Sequence, residues 1–458
     1  MTLNVTEFQV KNDVLFGNNS YLFLYQGSQY QFDYLTGKKK PSTQSIRNFK
    51  NNIQNRIEYC SKHKLDYLHI VFPSKPVVKA EELPKSLSRD VHSLYLRYYK
   101  NDNTKIYYPR DDLKNKESES LTFRKLDTHN SGVGYYTIVE NMMKKVFNIS
   151  INQNMYEFSD ITTDGELTRM LNSNQLEKHT ALYYYPQNYH MVSNRKSLRG
   201  NTNDVMLTHT YQSLLGKRCL IFGDSFCKDI VPFLLPFFSD ILYIRSAFFH
   251  EDIIQMYAPD FIITGNAERY LSHVKSDNEA NSFLFELYGS RDYYPSLDYL
   301  EALKAQLSYR FYPHVYQSFK DKLALLLKPS LKLFHNYKLH SNIKQTHEKK
   351  LVFQTNNVGQ LWLFCMDFKV GCSYRFSFEV YSSIASTFRI FYSDKELKGY
   401  PFSGERVLRY SLREGFNTFS LVCHYQTLGQ LLRIDPLLST GEIEFIVAEV
   451  QEIEKGMI

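Results

Sequence analysis

A parallel-sheet α/β domain, a helical connector and a C-terminal all-β sandwich are the architecture predicted by this 458-residue chain. Over residues 1–275, short and nearly continuous apolar runs alternate with helical patterns, as strands covered on both faces of a parallel sheet require. Through 276–348, apolar residues recur at helical spacing. From 349 to 458 the period switches to two, and turn residues separate short strands.

In the first region the expected strands are Tyr21-Leu22-Phe23-Leu24, Tyr67–Phe72, Arg218–Phe222, Ile241–Ile244 and Phe261–Ile263. Helices are expected around Ser45–Lys62, Gly134–Val146, Gly165–Leu171 and Asp229–Phe238. In the connector, Leu300, Leu303, Leu307 and Phe311 form one stripe, Pro313 breaks it, and Val315, Phe319, Leu323 and Leu326 resume it. Phe319–Phe334 carries lysines among its apolar residues. It is read as a packed helix bridging two domains, with peripheral attachment to a membrane surface as the alternative. In the last region Tyr374–Val380 and Glu442–Phe445 alternate cleanly, and Thr387–Tyr392 and Gly415–Leu421 add strands between turns such as Ser439-Thr440-Gly441. This pattern predicts a β-sandwich, a candidate carbohydrate-binding domain.

Apolar residues make up 43% of the chain and charged residues 22%, a balance that buries sizeable cores and excludes wholesale disorder. The net charge of +7 is dispersed, with its densest run, Lys38-Lys39-Lys40, in a turn-like segment. No zinc-finger, homeodomain or RNA-binding signature accompanies it, so nucleic acid is not the expected partner. A weakly basic surface suits an anionic polysaccharide instead. The six cysteines, Cys60, Cys219, Cys227, Cys365, Cys372 and Cys423, lack paired spacing and read as free thiols. His190, His209, His250 and His273 have no ligand-like spacing, so no metal site is expected. The N-terminus shows neither a basic nor an apolar leader region, and no run reaches 18 apolar residues. The expected location is cytoplasmic, with contact at most to the inner face of the membrane.

The chemistry concentrates in two segments. Cys219-Leu220-Ile221-Phe222 is a buried-strand pattern that runs into Gly223-Asp224-Ser225-Phe226, a strand-to-helix turn that presents a hydroxyl beside free backbone N–H groups. Asp and Ser are also ordinary helix-capping residues, so this turn alone has a purely structural reading. Upstream, Asp127-Thr128-His129 adds a carboxylate and an imidazole. In an extended loop both side chains point to one side. The carboxylate then fixes the ring tautomer and leaves the far nitrogen to accept the proton of Ser225. The alternative is an Asx-turn with His129 at the surface. Asp224 is assigned to the turn rather than to the reaction, and Cys227 to a buried position in the first helical turn.

The order of motifs resembles the SGNH-hydrolase-like polysaccharide O-acetyltransferase family, of the alginate O-acetyltransferase type. Gly17-Asn18-Asn19-Ser20-Tyr21-Leu22-Phe23 is similar to its Gly-x-x-Gly-Trp-Leu-Phe opening, and Val71-Phe72-Pro73-Ser74-Lys75 to its Val-Pro-x-Lys strand end. Leu126-Asp127-Thr128-His129-Asn130 resembles its Thr-Asp-Thr-His-Trp segment, with Asn130 in place of Trp. Leu220–Phe226 resembles the nucleophile block, and Pro259–Ile263 leading to Glu268-Arg269-Tyr270-Leu271 the strand that closes the site. The resemblance implies an SGNH-like catalytic domain over 1–275 and transfer of an acetyl group to a hydroxyl of a bacterial surface or capsular polysaccharide. Ser225, His129 and Asp127 would be its catalytic residues, working through an acyl-serine. Gly265 and Asn266 would lie at the oxyanion, with Asn266 a donor beside the Ser225 backbone N–H; a plain Gly-Asn loop turn is the alternative. Glu268 and Arg269 read as an ion pair, with Arg269 as a substrate-binding cation the alternative. The absence of a visible leader makes acetyl-CoA the expected donor, with no bound cofactor. A carbohydrate esterase using the same triad, and a non-catalytic glycan-binding protein relying on Trp362 and Tyr374, are the rival readings. A core position is expected for Trp362.

Overall fold

The computed structural model describes residues 8–453, apart from 102, 152–154, 185–187, 199–202, 284–292, 328–330, 336, 348–349, 364–367, 369–372, 395–401, 403–405 and 425–427. Two compact units divide the chain, Met1–Leu323 and Ala324–Ile458.

The first unit is built on seven strands: β1 (Asp66–Phe72), β2 (Ile106–Tyr107), β3 (Tyr189–Ser193), β4 (Val205–Thr210), β5 (Lys217–Gly223), β6 (Phe238–Arg245) and β7 (Phe261–Ala267). Their order in the sheet is β2-β1-β7-β5-β6-β4-β3. The five central and left-hand strands run parallel, with Gly223 of β5 opposite Gly265 of β7 and Arg245 of β6. β4 and β3 are added antiparallel at the other edge.

Cys219, Leu220, Ile221 and Phe222 of β5 are all buried, as a strand covered on both faces must be. Helix α1 (Thr43–Lys62), capped by the Ser42 hydroxyl on the Ser45 N–H, packs Phe49 and Ile53 against one face with Val71. Helix α2 (Gly132–Phe147), capped by Ser131 on the Gly134 N–H, lays Ile138, Val139 and Met142 on the other with Cys219 and Ile221.

Several expectations change here. Tyr21–Leu24 does not join the parallel sheet; Leu22–Leu24 closes a separate three-stranded antiparallel sheet. The helix expected over Asp229–Phe238 is instead two short turns, α3 (Ser225–Asp229) and Val231–Leu234, followed by β6. Pro232 opens the second turn and Pro236 stands just past it, and neither can donate to a continuing helix. The edge strand β3, its neighbour β4 and an antiparallel hairpin, Tyr156–Thr163 with Glu177–Tyr184, carry too many polar residues to have been read as strands.

Helices α4 (Leu297–Leu307) and α5 (Pro313–Leu327) match the stripe that Pro313 interrupts. The segment that follows is strand rather than helical connector. Leu331–Lys332, Tyr337–Leu339 and Ile343–Gln345 all pair into the second unit. That unit holds two antiparallel sheets. One runs Ile343–Gln345, Leu351–Thr355, Gly441–Ile453, Ser373–Ser382, Gly415–His424, and the other Tyr337–Leu339, Leu361–Leu363, Leu428–Asp435, Ser386–Asp394, Val407–Leu412. They share one core in which the rings of Phe378 and Phe388 lie 4.8 Å apart. Tyr374 is buried in that core, but Trp362 is not. Leu361 and Leu363 on either side of it face inward, so Trp362 points to the outer face, where His340 stacks on it at 4.7 Å. Cys365 and Cys372 lie outside the described residues; Cys60, Cys219, Cys227 and Cys423 are buried free thiols.

Candidate active site

The turn after β5 is held from both ends. The Asp224 carboxylate caps α3 through the Phe226 N–H at 3.0 Å and accepts the Ala267 N–H of β7 at 2.7 Å. Tyr243 donates its hydroxyl to the Asp224 carbonyl at 2.9 Å. Under the turn, Cys227 Sγ fills the space left by Gly223 and Gly265, where a Cβ on either glycine would overlap the sulfur. Burial pushes the Cys227 thiol well up, so it is no nucleophile. Ser225 stands first in α3.

The Asp127 segment meets this hydroxyl beside the Phe226 ring. His129 Nε2 lies 2.9 Å from Ser225 Oγ, and His129 Nδ1 lies 2.8 Å from Asp127 Oδ1. The imidazole stacks on the Phe226 ring at 4.6 Å. The segment is not extended: residues 125–129 form a bend in which Asp127 Oδ1 also accepts the His129 N–H at 3.1 Å. The Asx-turn and the imidazole contact are thus made by one carboxylate.

The second Asp127 oxygen accepts the Glu166 N–H at 2.9 Å and lies 3.2 Å from the Arg124 guanidinium. Burial pushes the Asp127 carboxyl up. The His129 hydrogen bond and charge, the Glu166 N–H and Arg124 outweigh it and hold the group well below the usual carboxylate range. For His129, burial works against protonation, but the Asp127 hydrogen bond and the carboxylates of Asp229 and Asp127 raise it above an ordinary imidazole. Asp229, pushed up by its own burial, accepts the Tyr135 hydroxyl at 3.0 Å.

Lys75, 4% exposed, threads this machinery to the rest of the unit. Its ammonium donates to the carbonyls of Leu22 (2.7 Å), Lys125 (2.8 Å) and Asp127 (2.9 Å). Burial pushes it down to about 7, opposed by Glu177 and Asp127. Lys75, Arg124, Glu166 and Asp229 were assigned no role from sequence. A lone lysine in the apolar run Val71–Val78 is the signal that marks Lys75.

Glu268 and Arg269 do not pair. Glu268 is fully buried and accepts from the Ser74 and Tyr95 N–H groups and the Ser93 and Tyr108 hydroxyls. The Arg269 guanidinium lies over the Phe226 ring, 5.4 Å from its centroid, on the same aromatic platform as His129. Gly265 sits in the ladder against Cys227, and Asn266 donates to the Ala267 carbonyl at 3.0 Å while lining a cavity on the α1 side of the sheet. Ligand atoms of Asp127, His129 and Glu166 fall within 4.8 Å of one another, the one such group among the described residues. Both Asp127 oxygens are already engaged and Arg124 sits on one of them, so this cluster does not fit a metal cation.

No protein-family model and no curated protein matches the chain. Among solved structures it is similar to Bacillus cereus PatB1 with a sulfonyl adduct, at 15% identity and a TM-score of 0.43, over 58% of this chain and 100% of that one. It is also similar to the O-acetyltransferase domain of Pseudomonas putida AlgJ, at 13% identity and a TM-score of 0.39, over 58% and 95% of the two chains. Pseudomonas aeruginosa AlgX is a third, at 10% identity and a TM-score of 0.35, over 96% and 94%. Acetyltransferases of the AlgJ and AlgX type use acetyl donors other than acetyl-CoA, which corrects the expectation of acetyl-CoA as donor. No helix among the described residues is long and apolar enough to cross a membrane.

Proposed function

We propose that the chain is an O-acetyltransferase that acts on a polysaccharide hydroxyl through an acyl-serine. The observation that carries the reading is the relay Ser225 Oγ to His129 Nε2 at 2.9 Å and His129 Nδ1 to Asp127 Oδ1 at 2.8 Å. Ser225 Oγ attacks the acetyl carbonyl of the donor while His129 takes its proton, and Asp127 stabilises the imidazolium. The Ser225 N–H, at the first position of α3, donates to the oxyanion, and Arg269 supplies positive charge nearby. The intermediate collapses with His129 returning the proton to the departing donor group. A sugar hydroxyl then loses its proton to His129 and attacks the acyl-serine, and Ser225 leaves with that proton.

Incubation with 4-nitrophenyl acetate, followed by intact-mass measurement, tests the first half. The protein should gain one acetyl group, and Ser225→Ala should gain none. Added polysaccharide should then draw the acetyl group onto glycan. Release to water alone would make the chain an esterase, and the absence of acyl-Ser225 would end the reading.

A further inference from the structure

A cavity of about 430 Å³ lies on the α1 side of the sheet, at the C-terminal ends of β1, β5, β6 and β7. Its walls reach Gly223 and Asp224, the two residues before the nucleophile, without including His129 or Asp127. Open α/β sheets bind ligands at these strand ends.

The lining is apolar on the helix side and polar on the sheet. Phe49 and Phe222 supply aromatic surface, and His69 on β1 supplies a buried polar group. His69 is 3% exposed, and its Nδ1 is tied to Thr264 Oγ1 at 2.8 Å. Its Nε2 interacts with the Asn266 side-chain amide, though not in the geometry of a full hydrogen bond. Burial and the Arg56 charge push the His69 ring down to about 3, so it offers a neutral hydrogen bond rather than charge.

Two guanidinium groups border the cavity, and they differ. Arg56 is neutralised by Asp277, to which it donates twice at 2.7 Å. Arg245, on the end of β6, forms no ion pair with a described carboxylate. The Asp224 carboxylate is engaged by the Phe226 and Ala267 N–H groups. Those N–H groups leave the carboxylate charged, but Arg245 and Lys275 of the lining outnumber it, so the net charge is positive, opposite aromatic walls that suit a sugar ring.

We propose that this cavity is an acceptor subsite that seats a glycan unit bearing an anionic group, with Arg245 holding the anion and His69 Nε2 and Asn266 taking ring hydroxyls. The sugar part rests on the function proposed above; the anion rests on the cavity alone. A unit seated here would lie against the turn that carries Ser225, with its neighbour in the polymer extending toward the acyl group.

Calorimetric titration of the full-length Ser225→Ala protein separates this from the triad, because binding is read without turnover. The probes are D-glucuronate, glucose 1-phosphate, D-glucose and inorganic phosphate. Both anionic sugars should bind at least tenfold more tightly than glucose, and Arg245→Gln should erase that difference. His69→Phe, which fills the cavity without adding charge, should weaken both anionic sugars. Glucose binding as tightly as glucuronate would overturn the anion assignment. Inorganic phosphate matching glucose 1-phosphate would overturn the sugar assignment, and no binding by any probe would overturn the subsite. Loss of acyl-Ser225 in the parent protein, by contrast, bears on the triad alone.

Discussion

His129 carries the pH dependence of the proposed reaction. The base must be neutral to accept the Ser225 proton, and Asp127 and Asp229 hold its pKa above that of a free imidazole. Activity toward a small activated ester should therefore rise with pH along a limb centred above about 6.5, the ordinary value. Asp229→Asn removes one carboxylate and should shift that midpoint to lower pH; an unmoved profile would show that Asp229 does not act on the ring. The stability linkage has the opposite sign. A raised imidazole stabilises the fold fully below its unfolded value, and the contribution is lost as pH rises through the folded one. Thermal midpoints of the parent and His129→Gln should diverge at acid pH and converge above that range.

Other side chains mark where a sequence yields its chemistry. The hydrogen-bonded set of Ser225, His129 and Asp127 was legible because each member sits in a short motif, and the Ser225 motif follows an apolar run with the pattern of a buried strand. The Glu268–Arg269 pair was misread for a local reason: neighbours in sequence point apart, and Glu268 turned inward to four donors. Trp362 could have been placed outward from sequence, since it alternates with two leucines.

At the scale of elements, the Asp127 bend has no regular secondary structure to hold it. Lys75 ties it to the neighbouring strand, its ammonium donating to the Lys125 and Asp127 carbonyls of the bend and to the Leu22 carbonyl. Hydrogen bonds to a charged donor contribute roughly 1.5–3 kcal/mol each. Lys75→Met keeps the length and apolar stem but removes the donors. It should lower the thermal midpoint by several degrees and reduce kcat at least tenfold, with KM for a small ester changed much less. A kcat equal to the parent's would show that the bend holds itself. The cross-chain partners of Lys75 are separated from it by about 50 residues, a distance over which no local pattern speaks. That is why its apolar setting was visible and its role was not.

At the scale of the whole molecule, the period change at 349 located the β-sandwich but not its first strands. Leu331–Lys332, Tyr337–Leu339 and Ile343–Gln345 are too short for a pattern to register, yet each pairs into one of the two sheets. A fragment ending at residue 345 would carry these strands without partners and expose their edges. A fragment ending at 327 would not. The 1–327 fragment should be monomeric by size-exclusion chromatography and acetylate Ser225 from 4-nitrophenyl acetate, while 1–345 should elute in aggregates. Equal solubility of the two would place the true boundary elsewhere.

The sulfur wedged between Gly223 and Gly265 makes the Ser225 turn its own reporter. Cys227 is shut away beneath Ser225, and no thiol reagent can reach it unless the turn lifts from β7. The rate at which Cys227 is alkylated, followed by peptide mass spectrometry, therefore measures how often the turn that carries Ser225 breathes. An acyl group on Ser225 or a sugar seated beside Asp224 would be registered as a slowing of that clock, with no label attached to the site itself.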